Sequence, residues 1–454
     1  MDNSSTTGGI STGRLSADQY EQNFQDLHPP LNAHQASVEA SRCYFCYDAP
    51  CVTACPTGID IPMFIRQIMT GNALGAARTI YTQNIMGGMC ARVCPTETLC
   101  EEACVRNGCE VKPVEIGFLQ RFATDAYMQS GDHPFNRAKA TGKNVAVVGG
   151  GPAGLSCAHR LASLGHSVSV FEGREKSGGL NEYGIASYKS TENFAGREVD
   201  FILSIGGIDI INGASLGSTQ ELDALRDDYD AVFLGLGQGG ANDLRLDGEN
   251  LGGVINAIDY IAELRQAADL SQLPVGKRIV VIGGGMTAID IAVQMKLLGA
   301  DEVTIVYRRG QDQMKASRYE QELAQTRGVN IVHWAKPSKL IASGDNVSAI
   351  GFQKTTFDSD GKLAETGEEF ELAADMVFKA IGQVFLSDTF SNSESPELVN
   401  GRITVNADRK TSLVDVWAGG DCIDGGDDLT VAAVEDGKVA AMSIDRFLNS
   451  NGEK

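Results

Sequence analysis

The residues best suited to chemistry are cysteines. Nine of the eleven lie between Cys43 and Cys109, and four form the run Cys43-x2-Cys46-x4-Cys51-x3-Cys55-Pro56. A second group, Cys90-x3-Cys94-Pro95-x4-Cys100-x3-Cys104, repeats the Cys-Pro step. Compact thiolate runs that close on Cys-Pro are the arithmetic of iron–sulfur ligation, in which the last cysteine of a run serves the neighbouring cluster. The segment carries thiolates for two four-iron clusters at most. Structural zinc asks instead for paired CxxC knuckles, or CxxC with histidine. A disulfide framework belongs to small secreted chains. This chain has 454 residues and opens MDNSSTTGG, with no charged n-region followed by an apolar h-region.

Charge narrows the partners. Against 38 Lys plus Arg stand 59 Asp plus Glu, a formal net of −21, which argues against nucleic acid and against an anionic membrane surface. No apolar run approaches the roughly 18 residues of a membrane span. Thiols that must stay reduced for clusters point to the cytoplasm.

The elements that must position these groups change character along the chain. Residues 1–15, rich in Ser, Thr and Gly, read as a disordered tail on a helical iron–sulfur domain that spans 1–140. Within it, helices are expected over 61–69 and 73–81, broken at Gly71-Asn72, and 130–141 reads as a linker. Beyond the linker strands and helices alternate, the mark of doubly wound α/β domains. A domain over 141–242 and 385–454 is expected to surround an inserted one over 243–384.

Two dinucleotide fingerprints lie in this region. The first is an apolar strand running into Gly149-Gly-Gly151-Pro-Ala-Gly154, then a helix, then a strand that ends at Glu172. The first glycine permits the tight turn, the second lets backbone approach a pyrophosphate, and the third lets helix and strand pack closely; the acid suits ribose hydroxyls. The second is Gly283-Gly-Gly285-Met286-Thr287-Ala288, again between strand and helix, but its following strand ends in Arg308-Arg309. Guanidinium groups there suit a 2′-phosphate, which favours NADPH over NADH. The alternative is a solvated strand end. Met286, Thr287 and Lys315 complete the candidate nucleotide contacts on this side, and Gly179, Leu180 and Lys189 those on the other.

Near the C-terminus, Val416-Trp-Ala-Gly-Gly420-Asp421 reads as a strand ending in Gly-Asp, and a helix follows from Thr430. This resembles the second FAD signature of pyridine nucleotide-disulfide reductase-like flavoproteins. The resemblance implies that Asp421 faces the ribityl chain, that the first fingerprint binds FAD, and that the inserted domain binds NAD(P)H. A disulfide reductase also needs a redox pair close in space, normally CxxC. Cys157 and Cys422 stand alone and read as small buried hydrophobes. The clusters are then the electron exit, since a flavin converts two-electron hydride chemistry into single electrons.

The order of cysteine-rich helical region, FAD domain and inserted NAD(P)H domain resembles the N-terminal half of dihydropyrimidine dehydrogenase and the small subunit of bacterial glutamate synthase. Two details favour the first: the spacing Cys94-x5-Cys100-x3-Cys104, and the segment Ile116-Gly-Phe-Leu-Gln120-Arg-Phe-Ala-Thr. By that resemblance Cys43, Cys46, Cys51 and Cys104 hold one [4Fe-4S] cluster, and Cys55, Cys94, Cys100 and Gln120 the other. Cys90 and Cys109 are left without iron, although thiol content alone would choose Cys90 as eighth ligand. Met286 departs from the family's acidic residue, and Lys189 from its arginine near the flavin.

The resemblance implies an α/β flavoprotein subunit of a bacterial dihydropyrimidine dehydrogenase. Such a subunit oxidises NAD(P)H through FAD and two [4Fe-4S] clusters and passes electrons to an FMN-bearing, iron–sulfur TIM-barrel partner subunit, which reduces uracil or thymine. No side chain of this chain is assigned as a catalytic acid or base. The alternative is a glutamate synthase small subunit or another NAD(P)H-oxidising electron-transfer subunit.

Overall fold

A computed structural model of the chain describes residues 9–450, which group into two compact units. The larger comprises Leu27–Glu182, Lys189–Gly239 and Phe385 onward; the smaller comprises residues up to Asp26, Tyr183–Tyr188 and Gly240–Val384.

The larger unit begins with short helices between cysteine loops. Ile61–Met69 starts behind Asp60, whose carboxylate accepts Met63 N–H at 3.0 Å, with a proline in the first turn. The helix stops at Gly71, which has φ +80°, and the next, Ala73–Gln83, is capped by Asn72 Oδ1 on Gly75 N–H at 2.9 Å. Gly87–Val93 and Ile116–Ser130 complete the bundle, around a core that includes Ile61, Phe64, Ile65, Ile80 and Leu119. That core also takes in Leu155, Ile202 and Val434 from the α/β part, so the helical region does not fold around a centre of its own.

Residues 130–143 cross over without regular structure apart from the end of the Ile116–Ser130 helix. A five-stranded parallel sheet follows in the order Val416–Ala418, Ala231–Leu234, Asn144–Val148, Ser167–Glu172, Ile208–Asn212. The strand nearest the C-terminus thus pairs with one that precedes the smaller unit's main span, which makes the smaller domain an insertion. The helix Thr430–Ser450 packs against Pro152–Ser163 closely enough that a Cβ on Gly437 would collide with the Ala153 carbonyl.

The smaller unit repeats the architecture. Its parallel sheet runs Asn330–His333, Glu302–Tyr307, Arg278–Ile282, Met376–Lys379, Val254–Asn256, beside a three-stranded antiparallel sheet over 335–373. Glu368 and Glu369 are exposed and lie in the strand Leu363–Ala373.

One expectation needs correction. Part of the expected tail lies outside the described residues, but residues 9–15 are held. Ile10–Ser11 pairs antiparallel with Val275–Gly276, and the Arg14 guanidinium donates to Gly299 O at 3.0 Å and Val275 O at 3.3 Å. Asn23 Nδ2 donates to Leu297 O at 2.8 Å. Residues 9–26 therefore pack with the smaller unit, and the span 1–140 is not one body. Composition missed this because two strand residues and one arginine suffice to anchor the segment.

Candidate cluster, flavin and nucleotide sites

In the larger unit, Cys43, Cys46, Cys51 and Cys104 line one pocket with Pro50, Ile61 and Ile65. Burial, then the neighbouring Cys43 and Cys104, pushes the Cys51 thiol up to about 12; burial also raises Cys43. Thiols in such surroundings resist ionisation unless a cation compensates them. Cys43 Sγ accepts the Phe45 N–H at 3.4 Å, which Phe45 makes available by turning to φ +51°.

Cys55, Cys94 and Cys100 are absent from that pocket's lining and neighbour one another. The Cys94 thiol is raised first by its hydrogen bond with Cys90, then by burial and by Cys90, Cys100 and Cys55; Cys100 is raised first by burial, then by Glu101, Cys55 and Cys51. Gln120 is buried, and its Nε2 donates at 2.7 Å to Gly87 O, at the head of the helix that leads to Cys94. Glu198 accepts Met89 N–H at 2.9 Å on that same helix, and burial lifts its carboxyl to about 8. Cys90 is 2% exposed, whereas Cys109 is exposed. Among the described residues no three His, Cys, Asp or Glu side chains form a single-ion site. Cubane ligands bind separate irons and need not converge on one point.

The first glycine turn has the form that its sequence requires. A Cβ on Gly149 (φ +102°) would collide with Gly235 O, and one on Gly154 with Gly149 O. One on Gly151 would meet nothing nearer than Gly179 Cα at 3.7 Å, so the backbone stays open to a phosphate at a helix N-terminus. Glu172, at its strand's end, accepts Gly150 N–H and Arg174 N–H, each at 2.8 Å. Gly179 lies against Gly151, and the half-buried Leu180 follows it. Gly420, at φ +85°, donates to Asp436 at 2.8 Å, and burial, with a lesser push from Asp428, raises Asp421 to about 6. Thr430 Oγ1 donates to Asn181 Oδ1 at 2.8 Å. Lys189 is 6% exposed. Ser177 Oγ and Asn181 Nδ2 are buried without a protein partner, which fits a polar ligand in this cradle. Spacing marks neither residue; the adjoining Gly178-Gly179, at φ +127° and +55°, is the signal for this loop.

In the smaller unit, Gly285 is the N-cap of Met286–Leu297, and a Cβ there would meet nothing within 4 Å. Gly283 is pressed against Ala380 O and Gly284 against the Tyr307 ring. Met286 and Thr287 are half-buried in the first turn, and the side chains of Arg308, Arg309 and Lys315 pair with no carboxylate among the described residues. Their backbone is fixed: Arg308 O accepts the Thr355 hydroxyl at 2.8 Å and Arg309 O the Trp334 N–H at 3.1 Å.

The family described as pyridine nucleotide-disulphide oxidoreductase matches residues 143–437, and the one described as dihydropyrimidine dehydrogenase domain II, 4Fe-4S cluster, matches residues 20–132. The chain belongs to the pyridine nucleotide-disulphide oxidoreductase family. Within it, the chain is 34% identical over 430 residues to an NAD-dependent dihydropyrimidine dehydrogenase subunit PreT homolog of Salmonella typhi, covering 94% of this chain and 98% of the relative. It is 33% identical over 446 residues to the glutamate synthase [NADPH] small chain of Escherichia coli K12, covering 94% of each. Mycobacterium tuberculosis FprA in complex with NADPH shares the fold, with TM-score 0.58 and 20% identity over 68% of this chain and 85% of FprA.

Together these matches make the protein an NAD(P)H-dependent oxidoreductase with an iron–sulfur domain, a flavin and a nicotinamide cofactor. The lone cysteines fit that role without a redox disulfide: Cys157 and Cys422 are both fully buried, and Cys422 Sγ donates to Gly419 O at 3.3 Å. No helix among the described residues is long and apolar enough to cross a membrane.

Proposed function

We propose that this protein is the electron-input subunit of a cytoplasmic dihydropyrimidine dehydrogenase, in which FAD takes hydride from NAD(P)H and two [4Fe-4S] clusters relay single electrons to the FMN of a TIM-barrel partner that reduces uracil or thymine. The observation that supports this reading is the grouping of the thiols: Cys43, Cys46, Cys51 and Cys104 line one pocket, and Cys55, Cys94 and Cys100, outside its lining, neighbour one another. Cys104 is close to Cys43 despite the 60-residue gap, while Cys55 has left its own run, as interleaved ligation requires.

Each residue then has a defined task. The two thiol sets hold iron, with the Gln120 amide oxygen as eighth ligand because its nitrogen is engaged by Gly87 O. Gly149, Gly151 and Gly154 admit the flavin pyrophosphate, Glu172 adds its remaining lone pairs to the ribose, and Asp421 and Thr430 border the ribityl side. Gly179, Leu180 and Lys189 border the flavin, and Gly420 opens the turn before Asp421. Gly283, Gly285, Met286 and Thr287 seat the nicotinamide dinucleotide, whose phosphates meet Arg308, Arg309 and Lys315.

Co-expression with an FMN TIM-barrel subunit tests the reading, by uracil-dependent oxidation of NADH and NADPH. Turnover that needs glutamine instead, with no response to uracil, would establish the glutamate synthase role that the 33% identity to its small chain supports.

A further inference from the structure

Cys55 has a hydroxyl against its sulfur. Thr57 Oγ1 lies 3.3 Å from Cys55 Sγ, and Thr57 is 3% exposed, so its hydroxyl is shielded from solvent. A free thiol and a hydroxyl can donate in either sense. A thiolate bound to iron has no hydrogen, so ligation fixes the polarity: the threonine donates and the sulfur accepts.

The backbone that aims this hydroxyl is held from a distant helix. Lys438 Nζ donates to Thr57 O at 3.2 Å and to Gln83 Oε1 at 3.0 Å, and pairs with Glu435 at 2.7 Å. Lys438 belongs to Thr430–Ser450, the helix that starts at the ribityl side of the flavin cradle. Hydrogen bonds to cluster sulfurs set reduction potential. A donor favours the more negative, reduced form and therefore raises it.

We propose that Thr57 sets the potential of the cluster held by Cys55, donating its hydroxyl hydrogen to the Cys55 sulfur, with Lys438 fixing the loop that aims it. This rests on the reading of Cys55 as a cluster ligand. Thr57 is a positioning residue in this scheme and touches no substrate.

The test is an anaerobic redox titration of the full-length holoprotein followed by EPR, with iron counted in each sample. Thr57→Val should keep its iron and shift one cluster's one-electron equilibrium toward the oxidised form by up to tenfold, about 59 mV. Thr57→Ser should stay near wild type, and Lys438→Met should move the same cluster in the same direction by less. Unchanged potentials in Thr57→Val, while Cys55→Ser loses one cluster, would overturn the proposal and leave the ligand reading standing. Two intact clusters in Cys55→Ser would remove both. If Thr57→Val loses iron, Lys438→Met decides, and an unshifted potential there refutes the proposal.

Discussion

Two glycines three residues apart in the flavin turn should fail in opposite ways when each is changed to alanine. At Gly151 the added methyl meets no protein atom closer than 3.7 Å, and the residue's φ of −83° and ψ of −174° suit alanine. The cost to the empty fold is the loss of a favourable N-cap, about 1 kcal/mol or less. In the proposed flavin seat the methyl occupies the approach to the pyrophosphate, so FAD affinity should fall at least tenfold, ~1.4 kcal/mol. At Gly154 the methyl collides with Gly149 O and comes within 3.2 Å of Val147 Cγ1, in a fully buried strand–helix contact. Overpacking of this kind costs about 1–3 kcal/mol, borne by the fold whether or not flavin is bound. The assay pairs flavin released per mole of purified protein with thermal melting of flavin-stripped samples. Gly151→Ala should lose flavin and melt near wild type, and Gly154→Ala should lower the melting temperature of the stripped protein. A Gly151→Ala protein that retains its full flavin, beside a Gly154→Ala protein that melts normally, would refute the division of labour in this turn.

Other expectations follow from the same geometry. In the second turn, Gly285→Ala should raise KM for both nicotinamide nucleotides with the fold intact, whereas Arg308→Ala with Arg309→Ala should raise KM for NADPH at least tenfold and leave NADH nearly unaffected; equal effects on both would place the 2′-phosphate elsewhere. Cys43→Ser and Cys104→Ser should abolish the same EPR signal and Cys55→Ser the other, and loss of one signal by Cys43→Ser but of the other by Cys104→Ser would break the interleaving. Gln120→Ala should lose iron from the second cluster and Cys90→Ser should not; the reverse pattern would make Cys90 the ligand. Glu198, lifted by burial from 4.5 to about 8, contributes stability that is fully present below pH 4.5 and is lost as pH rises through 8. Its share is ~1.4 kcal/mol per pH unit inside that window. Melting temperatures measured from pH 5 to 9 should fall less steeply in Glu198→Gln than in wild type, and parallel curves would show that Glu198 is ionised throughout.

The sequence was most informative where a local rule forces a residue type. Gly149 and Gly283 are needed because backbone carbonyls stand where their side chains would be, and the break at Gly71-Asn72 lies where a left-handed glycine and an Asx cap meet. The carbonyls belong to Gly235 and Ala380, far along the chain, yet the glycine spacing marks both turns, whereas the Gly71-Asn72 break is fixed by its immediate neighbours. Ser177 and Asn181 carry no signal of their own in the sequence because their partnerless atoms become visible only once burial is known. The anchoring of residues 9–15 escaped for the converse reason: a short polar segment has no amphipathic pattern, and its hold comes from one bridge of two residues and an arginine that reaches Gly299.

Spacing points Cys55, before Pro56, towards a neighbouring cluster but gives no sign that Cys104 joins Cys43, Cys46 and Cys51 around one pocket. Cys51 and Cys55 are one helical turn apart, yet one faces the pocket with Cys104 and the other faces Thr57. Cys51 lies inside the short helix Pro50–Thr53, Cys55 lies just beyond it, and both pack against one core. That core contains Leu155 of the flavin-turn helix and Val434 of the helix that carries Lys438. Lys438 and Thr57 are 381 residues apart in the chain and meet through the helix Thr430–Ser450. A cluster environment built this way is inseparable from the flavin domain. An excised helical region would lose both the apolar wall of its core and the lysine that holds the Cys55–Thr57 loop, so its thiols could still bind iron but with a loop free to turn the Thr57 hydroxyl away.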